Sequence, residues 1–290
     1  MAEALKEATG YEFEVAVPTS YAATAEGMCA APEKTIGFIP GLLYVLATDL
    51  CGVDVGFKAV RYGHDVYWTQ FLVPRDSDID SIDDLEGLTW AYPDAGSTSG
   101  FMVPTVMFDE AGVTPGETVE SGSHNAAGMA VYRGDADFAT TFYSPWLNYA
   151  DGGEQWDGSP ETADIPDDLV ESCEVTPEDR LFCGDLRVLD LRASLRTDAP
   201  DIVQKVKIAF ISPEIPNDTL SFGSEFPEDM RAEIEDALVA FAAECDDNED
   251  CLWNQSIGSQ DFYNWTGISP ATDDEYDFIR QMVAITGYTP

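Results

Sequence analysis

The sequence predicts an α/β protein of two lobes, each a mainly parallel sheet flanked by helices, and three observations carry that expectation. Strand-like and helix-like patterns alternate along most of the chain, the order that builds parallel sheet with helical crossovers. The 290 residues exceed an ordinary single domain and suit two, each with its own core. Hydrophobic residues make up 44% and charged residues 24%, which is a globular rather than a disordered composition.

Met1-Ala2-Glu3 runs straight into a helical pattern. Residues 13–17 (Phe-Glu-Val-Ala-Val) alternate like a strand, and a helix over 21–28 follows. Residues 69–73 form an apolar strand. The turn after it leads to a short helix start at Ser81-Ile82-Asp83-Asp84-Leu85, with the serine placed as N-cap. A strand over 88–92 precedes a helix over 97–111, which Gly112 ends. A helix over 125–132 closes at Arg133-Gly134, and 138–142 is a strand. From about residue 146 to 180 Gly, Pro and acids dominate and the apolar period disappears, which predicts an insertion or long loop. Helices over 227–243 and 273–285 complete the chain.

Charge is the strongest compositional feature. The chain has 55 acidic residues against 14 basic ones, a net charge of −41. Such self-repulsion excludes a general nucleic-acid or anionic-membrane binder. Acids spread along the whole chain, as in Asp76-Ser77-Asp78-Ile79-Asp80 and Asp246-Asp247-Asn248-Glu249-Asp250, predict a solvated halophilic surface. No run has the ligand spacing of a calcium loop, and neither a metal nor a cofactor is expected. The longest apolar run, residues 39–47, falls short of the roughly 18 to 20 residues of a membrane span.

Six cysteines fall into local pairs, Cys29 with Cys51, Cys173 with Cys183 and Cys245 with Cys251. An even number with no C-x-x-C predicts disulfides in an oxidising compartment rather than zinc or thiol redox chemistry. No leader precedes the first helical pattern, so an extracytoplasmic destination implies that one has been removed.

Two turns carry the candidate chemistry. Gly96-Ser97-Thr98-Ser99-Gly100 follows a strand and opens a helix. Unpaired N–H groups, hydroxyl donors and the positive end of the helix dipole converge there, a geometry that holds a tetrahedral anion without a cation. Gly122-Ser123-His124-Asn125 is a second turn into a helix, where the imidazole can donate to the same anion. A third motif, Ile215-Pro216-Asn217-Asp218-Thr219, offers an acid able to accept a proton from an oxyanion or pair with a ligand amine. A helix cap, a structural histidine and a plain turn are the bland alternatives to these three. His64 lies in no motif.

Taken together, the motifs resemble the phosphonate-, phosphite- and phosphate-binding proteins of ABC transporters. The resemblance runs through Pro18-Thr19-Ser20-Tyr21-Ala22-Ala23, residues 76–87, Ser97-Thr98-Ser99-Gly100, Gly122-Ser123-His124, Gly134-Asp135-Ala136-Asp137 and Ile215-Pro216-Asn217-Asp218. It implies the two-lobed type II periplasmic-binding-protein fold, with residues 1–75 and 216–290 in one lobe, 76–215 in the other, and the ligand in the inter-lobe cleft. It also implies Ser97, Thr98, Ser99 and His124 as oxyanion donors, Tyr21 and Tyr67 as the tyrosines lining the site, and Asp218 as the acid near the ligand. Trp68 competes with Tyr67 for its role.

The implied partners are a small phosphorus oxyanion and a membrane permease, with no nucleic acid, for a monomer or weak homodimer. The implied location is periplasmic or extracellular, with lipid anchoring one possible route before leader removal. Family members that take aminoalkyl phosphonates carry a glutamate shortly after the histidine helix. None stands near Tyr143 and Ser144, which favours a small uncharged substituent. The chain begins inside what corresponds to the family's first helix, so the strand expected before that helix is not found. The alternatives are a type II protein for a sulfonate, a thiamine precursor or another oxyanion, and, remotely, a hydrolase using Ser97 or Ser99 with His124 and Asp218. The hydrolase lacks the nucleophile-elbow register, which would need serine where Thr98 stands.

Overall fold

A computed structural model describes residues 1–18, 21–246, 250–259 and 265–287. In chain order, α1 (Ala2–Thr9) and α2 (Tyr21–Ala30) precede β1 (Ile36–Ile39), α3 (Gly41–Cys51), β2 (Asp54–Val60) and β3 (Val66–Pro74). Next come β4 (Trp90–Tyr92), α4 (Val103–Ala111), β5 (Thr118–Glu120), α5 (His124–Arg133) and β6 (Phe138–Tyr143). The stretch after β6 holds β7 (Leu147–Asn148), α6 (Asp167–Val170), β8 (Cys173–Val175), β9 (Leu181–Cys183) and β10 (Leu186–Arg187). Then follow α7 (Leu191–Leu195), α8 (Ile202–Lys205), β11 (Val206–Ile211), β12 (Ile215–Pro216) and β13 (Thr219–Phe222). The chain closes with α9 (Glu228–Ala243), β14 (Gly267–Pro270) and α10 (Asp277–Thr286). Among the described residues no helix is long and apolar enough to cross a membrane.

The chain divides into two compact units. The first takes Met1–Val66 and Pro216–Gln281, and the second takes Tyr67–Ile215 and residues 282–287. In the first unit the sheet order is β1-β13-β2-β14. Phe57, Leu220 and Phe222 from this sheet meet Ile234 and Leu238 of α9 and the fully buried Trp253 and Trp265. A residue of that kind contributes roughly 1.5–3 kcal/mol on burial. Cys29–Cys51 staples α2 to α3. Cys245–Cys251 closes the short loop after α9, whose residues 247–249 lie outside the described residues.

In the second unit the sheet order is β11-β3-β6-β4-β5. One face carries α4, with Phe71, Trp90, Phe108 and Phe138 buried together. On the other face Gly128 of α5 lies where an added Cβ would sit 2.7 Å from Leu191 of α7 and 3.7 Å from Leu72 of β3. The helices begin and end where local chemistry dictates. Ser81 and Asp84 form a capping box, Ser123 accepts from the Ala126 N–H to start α5, and Gly134 ends α5 at φ 76°.

Three expectations need correction. The α/β class holds, but the sheets are not mainly parallel. β4 is parallel to β5 and β6, whereas β3 is antiparallel to β6 and β11, and β13 is antiparallel to both β1 and β2. Parallel neighbours need a long crossover between them, and α4 and α5 supply one. The strands that carry the chain into and out of the second unit come from elsewhere and run against it.

The second correction concerns residues 13–17, which join no sheet. Tyr11 and Phe13 pack on the first unit's core while Val15 and Val17 are exposed. Alternation makes a strand only where a neighbour completes the ladder, and β1 pairs on its one bonded side with β13.

Third, residues 146–180, expected as an insertion or long loop, are not loop alone. They hold β7, α6 and β8, and β7 and β8 join the following β9 and β10 in an antiparallel sheet of order β7-β10-β9-β8, with Cys173 and Cys183 bridged and directly opposite in the β8–β9 ladder. Trp156 from this insertion packs edge-on against Trp68 and Tyr143.

Candidate functional site

Two helix starts meet at the carboxyl ends of adjacent parallel strands. β4 leads through Asp94-Ala95-Gly96 into the Ser97 turn, and β5 leads through Ser121-Gly122 into α5. Their exit loops stay joined, because the Ser121 N–H donates to the Tyr92 carbonyl at 2.8 Å and the Gly122 N–H to the Pro93 carbonyl at 2.7 Å. Gly122 takes φ 80°, which lets the chain turn sharply into the Ser123 cap. Ligands in open α/β sheets bind outside such strand ends.

The first turn is tighter than the helix expected over 97–111. Residues Thr98–Met102 form a π-turn that runs into α4. The Val103 N–H reaches back to the Thr98 carbonyl, and the Phe101 and Met102 N–H groups both reach the Ser97 carbonyl at 3.0 Å. π-turns of this kind are rare and concentrate at functional sites. The Gly100 N–H donates to Ser97 Oγ at 3.0 Å. A side chain at Gly100 is excluded, since a Cβ there would lie 2.2 Å from the Pro93 ring.

The loop is fixed from behind by hydroxyls. Thr69 Oγ1 of β3 donates to the Ser99 carbonyl at 2.8 Å, and Thr140 Oγ1 of β6 donates to the Gly100 carbonyl at 2.5 Å. The Trp90 indole N–H donates to Thr140 Oγ1 at 2.7 Å. The Gly100 and Phe101 N–H groups are already taken by Ser97, which leaves those of Thr98 and Ser99 as the first-turn donors that a helix start supplies with no intrahelical acceptor. Sequence reasoning passed over Thr69 and Thr140. The available signal was the pair of threonines in Phe-Ala-Thr-Thr-Phe-Tyr, polar residues inside an otherwise buried strand.

His124 meets this turn. Its Nε2 lies 3.3 Å from Ser97 Oγ, and its ring rests edge-on against Phe142 at 5.3 Å. Nδ1 is buried with no hydrogen-bond partner among the described residues. Buried orphan N–H groups are rarer than unsatisfied acceptors. That argument places the proton of the neutral ring on Nε2, toward the serine loop. Burial pushes the imidazole pKa below its ordinary 6.5, against a smaller upward pull from Asp94. The ligand-free ring is therefore neutral at pH 7 and offers one N–H.

Ser97, Thr98, Ser99 and His124 are thus brought together within the second unit. Tyr67 belongs to the same unit and is half-buried. By the alternation of β3 it shares a face with Thr69, the residue that holds Ser99. Trp68 points to the opposite face, where it is buried with Trp156 and Tyr143. Asp218 lies in the first unit, with its carboxylate 2.6 Å from Arg61 Nη2. Arg61 Nη1 donates to Asn217 Oδ1 at 3.0 Å, and the Asn217 amide donates to the Ala59 and His64 carbonyls. Tyr21 opens α2 in the first unit, and its side chain lies outside the described residues.

Comparison with known proteins gives consistent results. The family described as "ABC transporter, phosphonate, periplasmic substrate-binding protein" matches residues 1–276. The phosphate-import protein PhnD of Mycolicibacterium smegmatis is 29% identical over 157 residues, covering 48% of this chain and 47% of that protein, so the match spans about half of the relative's length. Among solved structures, a binding-protein component of an ABC phosphonate transporter from Pseudomonas aeruginosa superposes with a TM-score of 0.61 at 20% identity, over 99% of this chain and 79% of that one. PhnD1 of Prochlorococcus marinus, solved with methylphosphonate, gives 0.60 at 16% identity, over 99% and 90%. These structural likenesses establish the fold, that of the type II periplasmic binding proteins. With most of its length matched, the chain belongs to the family of phosphonate periplasmic substrate-binding proteins of ABC transporters.

Proposed function

We propose that this chain is the extracytoplasmic ligand-capturing component of an ABC importer and that it holds a small phosphorus oxyanion: phosphite, phosphate or a short alkylphosphonate. The observation that carries the reading is the meeting of two helix starts, with Ser97 Oγ 3.3 Å from His124 Nε2. Hydroxyl, imidazole and backbone donors on an acidic protein select an anion by short contacts rather than by net charge. Ser97, Thr98, Ser99 and His124 are its oxyanion donors. Tyr67 joins them on its strand face, and Tyr21 and Asp218 enter on their motifs alone. The membrane permease is the protein partner.

The Arg61–Asp218 pair supports a ligand without an amine. An acid already bonded to a guanidinium has less to offer an ammonium, and no glutamate stands near Tyr143 and Ser144. A thermal-shift panel tests both parts. Phosphite, phosphate or methylphosphonate should raise the melting temperature, because a ligand that binds only the folded state at 100 times its Kd adds about 2.7 kcal/mol. 2-Aminoethylphosphonate should raise it less. A sulfonate or heterocycle that shifts the protein while every phosphorus oxyanion leaves it unmoved at millimolar concentration would overturn the ligand class.

A further inference from the structure

We propose a second, separate binding site on the second unit, an aromatic groove between α4 and the edge strand β5 that takes a small organic ammonium ion. The groove has a volume of about 440 Å³, within the range that small ligands occupy. Its floor is the α4 face of β4, where Trp90 and Tyr92 lie with ring centroids 4.9 Å apart. Its wall is one stripe of the π-turn and α4, namely Phe101, Phe108 and Asp109. Phe101 stacks on Trp90 at 5.4 Å and 4° and leans on Tyr92 at 4.7 Å. The sheet ends at β5, all of whose residues are exposed, so nothing from this unit's sheet closes the outer side.

Charge selects the occupant. Aromatic faces carry negative potential and attract cations. Asp109 lines the groove and is exposed. Glu120 stands opposite Tyr92 in the β4–β5 register, and its charge raises the Tyr92 pKa, second to burial. The half-buried Tyr92 and Phe101 rings, set over the buried Trp90 and Phe108, with the Asp109 carboxylate in the lining and Glu120 opposite Tyr92, match an alkylammonium group, which is apolar in body and positive in charge. They repel the anion that the Ser97 turn is proposed to hold, so the two sites are chemically distinct. A neutral hydrocarbon would gain the same area without the charge term, and a second protein would need a far larger surface.

The test uses the intact chain labelled with ¹⁵N. The Trp90 indole N–H, held by Thr140, gives one resonance, which Trp90→Phe identifies by its loss. Tetramethylammonium or choline chloride, at ionic strength matched with sodium chloride, should move that resonance saturably. The neutral isostere 3,3-dimethylbutan-1-ol should bind about 2- to 5-fold more weakly, the worth of an exposed cation–π contact. Asp109→Asn with Glu120→Gln should weaken choline several-fold and leave the alcohol unchanged. Equal shifts with choline and the alcohol would reduce the groove to a greasy surface. A Trp90 resonance unmoved by either ammonium ion would overturn the site.

Discussion

Two polar clusters of the second unit are built on opposite rules. At the Ser97 turn the groups are neutral and incompletely bonded, with a hydroxyl 3.3 Å from an imidazole and Nδ1 without a partner. On the other face of the sheet, Arg192 is fully buried and each of its three guanidinium nitrogens finds an acceptor. It bonds both oxygens of Asp190 at 3.0 Å, Asp164 Oδ1 at 2.6 Å and the Val206 carbonyl at 3.3 Å. Asp164 in turn takes Arg75 at 3.0 Å. Two neighbouring carboxylates outweigh the cost of burying the cation and hold it charged. A cluster that satisfies itself has nothing left for a ligand. One whose hydroxyls and single imidazole N–H are incompletely bonded does. Charge marks the structural cluster and neutrality the binding one, which suits a protein whose net charge already repels anions.

The largest effect expected from this contrast is on stability. Arg192→Ala strands the buried Asp190 and leaves Asp164 with Arg75 alone, and it should cost about 3–5 kcal/mol, read from urea unfolding. It should also release the insertion, since Asp164 lies inside it and Arg75 and Arg192 lie outside. A replacement that fills the volume without charge, Arg192→Met combined with Asp190→Leu, should recover part of the loss. A single Arg192→Ala that unfolds like wild type would show that the cluster does not anchor the insertion.

Next in size is the loss of ligand affinity at the neutral cluster. Each donor to a charged ligand contributes roughly 1.5–3 kcal/mol. Ser97→Ala and His124→Ala should therefore each weaken phosphite or methylphosphonate binding about 10- to 100-fold by calorimetry. The fold should barely respond, because Ser97 loses one cap bond and the His124 ring makes no other hydrogen bond among the described residues. Wild-type affinity in both variants would remove these residues from the site.

How much of this was legible beforehand follows from how local each feature is. The cap at Ser81 and the stop at Gly134 are set within four residues, and the sequence shows them. The meeting of Ser97 and His124 joins residues 27 apart; two turns suited to one anion suggested it, and the family's order of motifs strengthened it. The π-turn has the composition of an ordinary helix start. Strand direction is not a local property, so the antiparallel entry and exit strands went unseen. The insertion's strands are two or three residues long, too short for a period to declare itself. Residues 13–17 show the converse error, in which a clear period lacks the partner that would make it a strand. Arg192, Asp164 and Arg75 are scattered in sequence, and no pattern links them.

The smallest effect separates the surface from both clusters. With 41 excess negative charges, carboxylates across the exposed surface repel over a Debye length of about 10 Å at 0.1 M salt and about 3 Å at 1 M. That repulsion destabilises the folded state in dilute buffer. The melting temperature should therefore climb as sodium or potassium chloride rises from millimolar to molar. Screening reaches neither cluster well. The Arg192 group is buried, so Arg192→Ala should keep the same penalty at every salt concentration. The Ser97–His124 donors act by short contact, so affinity for a phosphorus oxyanion should change far less than stability does, with association, if anything, eased. A melting temperature that stays level across that range would show that the acidic surface is not a salt adaptation. A penalty for Arg192→Ala that shrinks with salt would place that cluster in solvent's reach, and the contrast between a self-satisfied core and a donor-rich turn would lose its electrostatic basis.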